Sequence, residues 1–156
     1  MEAPRPGAYP RRMRNRPAFT LIELAVVLVA AGALTALALP RLHNARQQVT
    51  VRAARAELAG AFAVARSAAI TGGGATLFVD PAAGAAWIEV RDGVRLDTDY
   101  RLADRYGVRI ETPRGAVLSV RYDALGIGRL ANTSLTLRRG SATASLTVSA
   151  YGRVRQ

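Results

Sequence analysis

Cysteine and lysine are absent from this 156-residue sequence, and histidine occurs once, at His43. Without Cys there are no disulfides, thiolate nucleophiles, iron–sulfur clusters or Cys-based zinc sites. A single His rules out a His-rich metal site and leaves one candidate imidazole base. The lack of Cys does not locate the compartment, but it suits an export route without disulfide formation. Acidic residues are scarce too: 11 against 22 basic residues, every one of them Arg, for a formal charge of +11. The length suits one domain with a small core. These counts argue against an enzyme, and no cofactor or metal is expected.

What is present is unevenly distributed. From Phe19 to Leu39 the only polar side chains are Thr20, Glu23 and Thr35. A helix of that length, at about 1.5 Å per residue, spans roughly 31 Å, the thickness of a bilayer's hydrocarbon core. Ahead of it lies a Pro/Arg-rich stretch with Arg5, Arg11, Arg12, Arg14 and Arg16. A secretory signal would have a shorter apolar run followed by a small-residue cleavage site. Here the run continues through Pro40 into an Arg- and Ala-rich helical pattern, as in a retained single-pass anchor. Arg41, Arg46, Arg52 and Arg55 follow closely, so the positive-inside bias is slight and does not orient the span. By segment, the net charge is +4 over 1–18, −1 over 19–40, +4 over 41–79, −2 over 80–111 and +6 over 112–156. The basic C-terminal block suits an anionic partner or a solvated basic face.

Residues 1–16 read as disordered, and Met13 is an alternative start. A helix is expected from Phe19 to about Ile70, kinked at Pro40, which lacks an amide donor. Beyond Pro40, Val51, Ala54, Leu58, Phe62, Ala65 and Ala69 recur at spacings of three or four, an apolar stripe. Thr71-Gly72-Gly73-Gly74 should end the helix. Strands are expected at Ala75–Asp80, Ala85–Arg91, Val108–Glu111, Val117–Tyr122, Ser134–Arg138 and Ala144–Ser149. Asp97 to Tyr106 reads as a loop. The fold class is α+β: a long N-terminal helix, half transmembrane and half amphipathic, packed on a small antiparallel β domain. The expected divisions are 1–18, 19–40, 41–71 and 72–156.

The string Ala18-Phe19-Thr20-Leu21-Ile22-Glu23-Leu24 before an apolar helix resembles the type III prepilin signal of type IV pilins and pseudopilins. The resemblance implies a leader of residues 1–18, cut between Ala18 and Phe19 by a prepilin peptidase that methylates the new N-terminus. Where the family nearly always has Gly before the cut, this chain has Ala18. Glu23 matches the family's assembly residue and Pro40 its helix kink. Physics adds that a carboxylate inside a span costs a few kcal/mol and needs a partner. The α-amine of a neighbouring subunit's Phe19 would serve, and snorkelling to the membrane edge is the alternative.

A looser resemblance narrows the branch. Ala68-Ala69-Ile70-Thr71, Tyr122-Asp123-Ala124-Leu125-Gly126-Ile127-Gly128-Arg129 and Ser149-Ala150-Tyr151-Gly152-Arg153-Val154-Arg155 are similar to the GspH/FimT family. That family holds the minor pseudopilin H of type II secretion and FimT-type minor pilins, with a fold of one helix and two small β-sheets. The implied partners are other pilin or pseudopilin subunits, the prepilin peptidase, the inner-membrane assembly platform and inner-membrane lipid. FimT-type pilins of transformable bacteria contact DNA through a C-terminal Gly-Arg-x-Arg, matched here by Gly152, Arg153 and Arg155. Arg residues alternating with Val on a strand point the same way, and guanidinium groups fit phosphates bidentately. Arg129, Arg138 and Arg139 would extend that surface. Alternatively, the Arg-rich edge simply resists aggregation.

The remaining candidates carry less. His43, beside Pro40, has no Ser/Asp constellation and reads as a solvated helix residue. Asp92, Asp97 and Asp99 lack an ordered calcium-ligand spacing. Gly126-Ile127-Gly128 is too short for a phosphate loop and reads as a turn, and Asn132-Thr133-Ser134 matches a glycosylation sequon of little meaning in a bacterial filament protein. The expectation is a non-enzymatic minor pseudopilin of type II secretion, single-pass in the inner membrane with its C-terminal domain periplasmic, assembled into a pseudopilus. A FimT-type minor pilin binding DNA for uptake, and a plain bitopic binding protein, are the alternatives.

Overall fold

The computed structural model describes residues 20–96, 99–129, 132–149 and 151–155, so the expected cleavage pair Ala18 and Phe19 lies outside the described residues. Contacts divide the chain into two units, Met1–Leu39 and Pro40–Gln156.

Helix α1 covers Leu21–Gly72, with Pro40 inside it. It starts at Thr20, whose side-chain oxygen accepts the Glu23 amide at 3.3 Å, an N-terminal cap. It stops at the glycines because Gly73 takes φ 77°, the left-handed conformation that terminates helices. In the first unit, every residue from Thr20 to Leu39 is exposed, Leu21, Val29 and Leu37 among them. Apolar surface on that scale requires lipid or other helices to cover it.

In the second unit, the stripe is buried as its spacing requires: Val51, Ala54, Leu58, Ala61, Phe62, Ala65 and Ala69. Four of these seven are Ala, and such small side chains let a helix backbone approach a sheet closely. Arg46, Arg52 and Arg66 are exposed.

Among the described residues, nine strands form two antiparallel sheets. The first contains β1 (Gly74–Asp80), β2 (Ala85–Val90), β3 (Tyr100–Arg101), β5 (Leu118–Asp123) and β6 (Gly128–Arg129), in the order β3-β2-β1-β5-β6. The second contains β4 (Arg109–Glu111), β7 (Thr133–Arg139), β8 (Ala142–Val148) and β9 (Val154–Arg155), in the order β4-β7-β8-β9. Each long strand alternates as a half-buried strand must. Leu77 and Val79 on β1, Ile88 on β2, Val120 and Tyr122 on β5, Leu135 and Leu137 on β7, and Leu146 and Val148 on β8 all point inward. They join the helix stripe in one core. Among the described residues, no buried residue is polar or charged apart from the Tyr122 hydroxyl.

In the segment expected to be a loop, of which 97 and 98 lie outside the described residues, Tyr100 to Tyr106 are more ordered than their sequence suggests. Tyr100–Arg101 is strand β3, and Leu102–Tyr106 is a short helix, α2, capped by Gly107 at φ 61°. Local periodicity misses it because tertiary contacts hold it. Leu102 is fully buried, and Glu57 on α1 accepts hydrogen bonds from Arg105 at 2.8 Å and the Tyr106 hydroxyl at 2.5 Å. The Ala103 amide also donates to the Gly84 carbonyl at 2.9 Å.

Candidate functional site

Glu23 lies in the first turn of α1 and is exposed. Its backbone is fixed by Thr20, and its neighbours Leu21, Ile22 and Leu24 are exposed too. A carboxylate on an apolar helix, with no cation beside it among the described residues, suits a partner supplied by another molecule. Ala25, Val26, Val29, Ala30 and Ala33 line a shallow, wholly apolar groove on the same helix.

His43 bonds to Gln47 at 2.7 Å, four residues along the helix. Gln47 in turn accepts the Ser141 amide at 3.3 Å, tying the β7–β8 turn to α1. The imidazole therefore sits in a structural contact. Of the three aspartates weighed for calcium, Asp97 lies outside the described residues and Asp99 is paired with Arg95 at 2.7 Å. Among the described residues, no three His, Cys, Asp or Glu side chains cluster as metal ligands would.

The two loose sequence motifs meet in space. The Gly128 amide donates to the Tyr151 carbonyl at 3.2 Å, and the Tyr122 hydroxyl donates to the Gly152 carbonyl at 3.1 Å. Burial pushes the Tyr122 hydroxyl up to about 12, so it stays a donor at any physiological pH. Asp123 folds the intervening turn by accepting the Leu125 and Ile127 amides at 3.0 and 2.9 Å. Gly126, at φ 70°, belongs to that turn, as the sequence reading expected.

This junction places the C-terminal arginines. β9 is an edge strand paired with β8, with Arg155 opposite Thr147. The Arg153 amide donates to the Ser149 hydroxyl at 3.1 Å, and its carbonyl accepts the Ser149 amide at 2.8 Å. Both side chains are exposed, and neither forms an ion pair among the described residues. One residue beyond Gly128, Arg129 is exposed on edge strand β6, opposite Arg121 on β5. Arg121 was not singled out from sequence, because only the register of β5 and β6 reveals its neighbour.

Arg138 and Arg139 lie elsewhere. Thr147, opposite Arg155, is itself opposite Ser134. Arg138 lies four residues further along β7, about 13 Å away at strand rise. It is paired with Glu111 at 2.9 Å, while Arg139 donates to the Tyr106 carbonyl at 2.6 Å. The structure thus gathers Arg129 with the Gly152 junction and separates Arg138 and Arg139 from it.

Comparisons with known proteins agree with this architecture. Residues 54–152 match the family described as Type II transport protein GspH. Among solved structures, the chain is similar to the type IV minor pilin FimU of Pseudomonas aeruginosa strain PAO1. The identity is 14% and the TM-score 0.54, covering 67% of this chain and 86% of that one. At that identity, the likeness shows the fold. No curated protein matches the chain.

Proposed function

Because this chain belongs to the GspH family of type IV filament subunits, we propose that it is a minor pseudopilin of a type II protein secretion system. In this reading, residues 1–18 are a leader removed before Phe19 by a prepilin peptidase, and the new N-terminus is methylated. The span of 19–40 anchors the subunit in the inner membrane with the β domain periplasmic, and then enters the filament core. The observation carrying this reading is the apolar half of α1, which has no buried residue and one carboxylate, Glu23, near its start. A lipid-exposed helix needs no carboxylate. A helix that docks on a neighbour's cationic N-terminus does, since removing both charges from water together costs less than removing one.

The role is structural: α1 holds neighbours, and the β domain is displayed outside. Catalysis plays no part in it. The test is mass spectrometry of the chain purified from a strain with active prepilin peptidase. An N-methylated Phe19 terminus supports the reading, and an intact leader sinks it in favour of a plain bitopic protein. Secretion of the strain's exported enzymes should then fail when the gene is deleted.

A second reading, a minor pilin that binds DNA for uptake, draws on exposed Arg153 and Arg155 on the edge beside Gly152. Salt titration of duplex binding by the detergent-solubilised chain tests it. If both Arg engage phosphates, the log–log slope falls by about two in the Arg153→Ala/Arg155→Ala variant. Absence of duplex binding at low salt leaves the secretion reading alone.

A further inference from the structure

The solvent face of the five-stranded sheet carries an unusual row of side chains. Phe78 on β1 and Trp87 on β2 are directly opposite and stacked, with ring centroids 5.2 Å apart and planes within 12°. The Arg95 guanidinium lies over the Trp87 ring at 5.0 Å and is itself held by Asp99. One end of the stack is therefore capped. On its other side Phe78 is opposite Ser119 of β5, a small and exposed residue, so the stack ends at an open place. A cleft of about 790 Å³ occupies that side, lined by Phe78, Ser119, Thr76, Arg91, Arg121 and Arg129.

The charges around the cleft are unbalanced. Arg121 and Arg129 are direct cross-strand neighbours, an arrangement in which like charges repel. The other sheet has the same pairing in Arg109 and Arg138, but there Glu111 binds Arg138. In the cleft, Asp123 directs one oxygen to two turn amides, and Glu89 directs one to the Trp87 indole nitrogen. Among the described residues, Arg91, Arg121 and Arg129 form no ion pair. Arg91 lies along Gly73, where a Cβ would approach its guanidinium to 3.2 Å.

We infer that this face binds single-stranded nucleic acid, one base continuing the Arg95–Trp87–Phe78 stack over Ser119 while adjoining phosphates sit on Arg121 and Arg129. Stacking on an aromatic platform is open to any base, and a duplex cannot offer it without unpairing. Arg supplies planar, bidentate phosphate contacts. Charge complementarity favours an anion: the cleft holds Arg91, Arg121 and Arg129 against Glu89 and Asp123, in a chain that carries 17 Arg against nine acids beyond Pro40. The site is separate from the Gly152-Arg153-Val154-Arg155 edge, and it goes beyond the secretion reading without depending on it.

The test is fluorescence anisotropy of a labelled 12-nucleotide oligothymidine with the full chain in detergent. A 12-base-pair duplex and an acidic, Tyr-containing peptide serve as rival probes. The single strand should bind and perturb the emission of Trp87, the sole Trp. Phe78→Ala should weaken binding about tenfold. Ser119→Phe places a ring in the slot at an exposed strand position and should weaken it similarly without unfolding the sheet. Arg121→Ala/Arg129→Ala should lower the salt slope by about 1.4, whereas Arg153→Ala/Arg155→Ala leaves the Phe78 dependence in place. Equal binding of duplex and single strand by the Arg153→Ala/Arg155→Ala variant, or single-strand affinity indifferent to both the Phe78 and Ser119 substitutions, overturns the inference. Binding of the peptide alone also overturns it, and marks the face as a protein contact.

Discussion

Gly128 and Gly152 lie backbone against backbone: a Cβ on Gly128 would come within 2.6 Å of the Gly152 Cα. A Cβ on Gly152 would lie 2.5 Å from Tyr122 Cε1, at a backbone φ of 73° that side chains rarely adopt. The contact closes the β6 edge of one sheet against the chain entering β9 of the other. Gly128→Ala and Gly152→Ala are each expected to cost about 1–3 kcal/mol, the range for forcing atoms into a packed site. Thermal melts followed by circular dichroism should show both as clear decreases in Tm. An unchanged Tm for Gly128→Ala would mean that the two edges can separate freely.

Tyr122 sets an alkaline limit. Its hydroxyl titrates at about 12 in the fold, raised by burial, against about 10 in an unfolded chain. The folded state thus holds the proton more tightly. The associated stability is complete below about pH 10 and is lost as pH rises through 12. Burial also raises Tyr100, and the Glu57 hydrogen bond raises Tyr106, so some alkaline loss persists without Tyr122. Tyr122→Phe should be less stable at neutral pH by about 1 kcal/mol for the lost hydrogen bond, yet decline less steeply between pH 10 and 12. Denaturant melts across that range would check the slope.

Glu57 holds α2 on α1. Its side chain is only 16% exposed and accepts from both Arg105 and the Tyr106 hydroxyl. Glu57→Ala should cost about 1 kcal/mol and accelerate amide exchange in Leu102–Tyr106 more than in β7 or β8. Glu57→Gln, which retains an acceptor, should lie between. Exchange that accelerates uniformly would show that the pair supports the whole domain instead.

Glu23→Ala should leave the melting of the β domain unchanged, because Glu23 belongs to the first unit and the core residues all belong to the second. It should abolish incorporation into sheared filaments, with Glu23→Asp partially restoring it. Wild-type levels of the alanine variant in filaments would contradict the assembly role and favour snorkelling.

Much of this protein is legible locally. The apolar run from Phe19 to Leu39 is a length-and-composition signal, and the Val51 to Ala69 stripe a periodicity signal. The six expected strands appear within a residue or two, since alternation along a half-buried strand is written into consecutive residues. What was missed is short: β3, β6 and α2, of two to five residues each. Elements of that size carry too few side chains to show a period, and they exist because Glu57, the β2 edge or the β5 edge holds them.

The site divides along the same line. The apolar run, its lone carboxylate and the arginine-only basic charge are properties of composition and spacing, so the sequence alone determines them. Which arginines face the same way is a matter of register between paired strands. Only the tertiary structure sets Arg129 beside Arg121 and commits Arg138 to Glu111. The same holds for Phe78 on Trp87 and for Gly128 on Gly152. For the two hairpin pairs the turn sets the register, and for Arg138 with Glu111 and Gly128 with Gly152, more than twenty residues apart, packing on one core does; alternation along a single strand states neither.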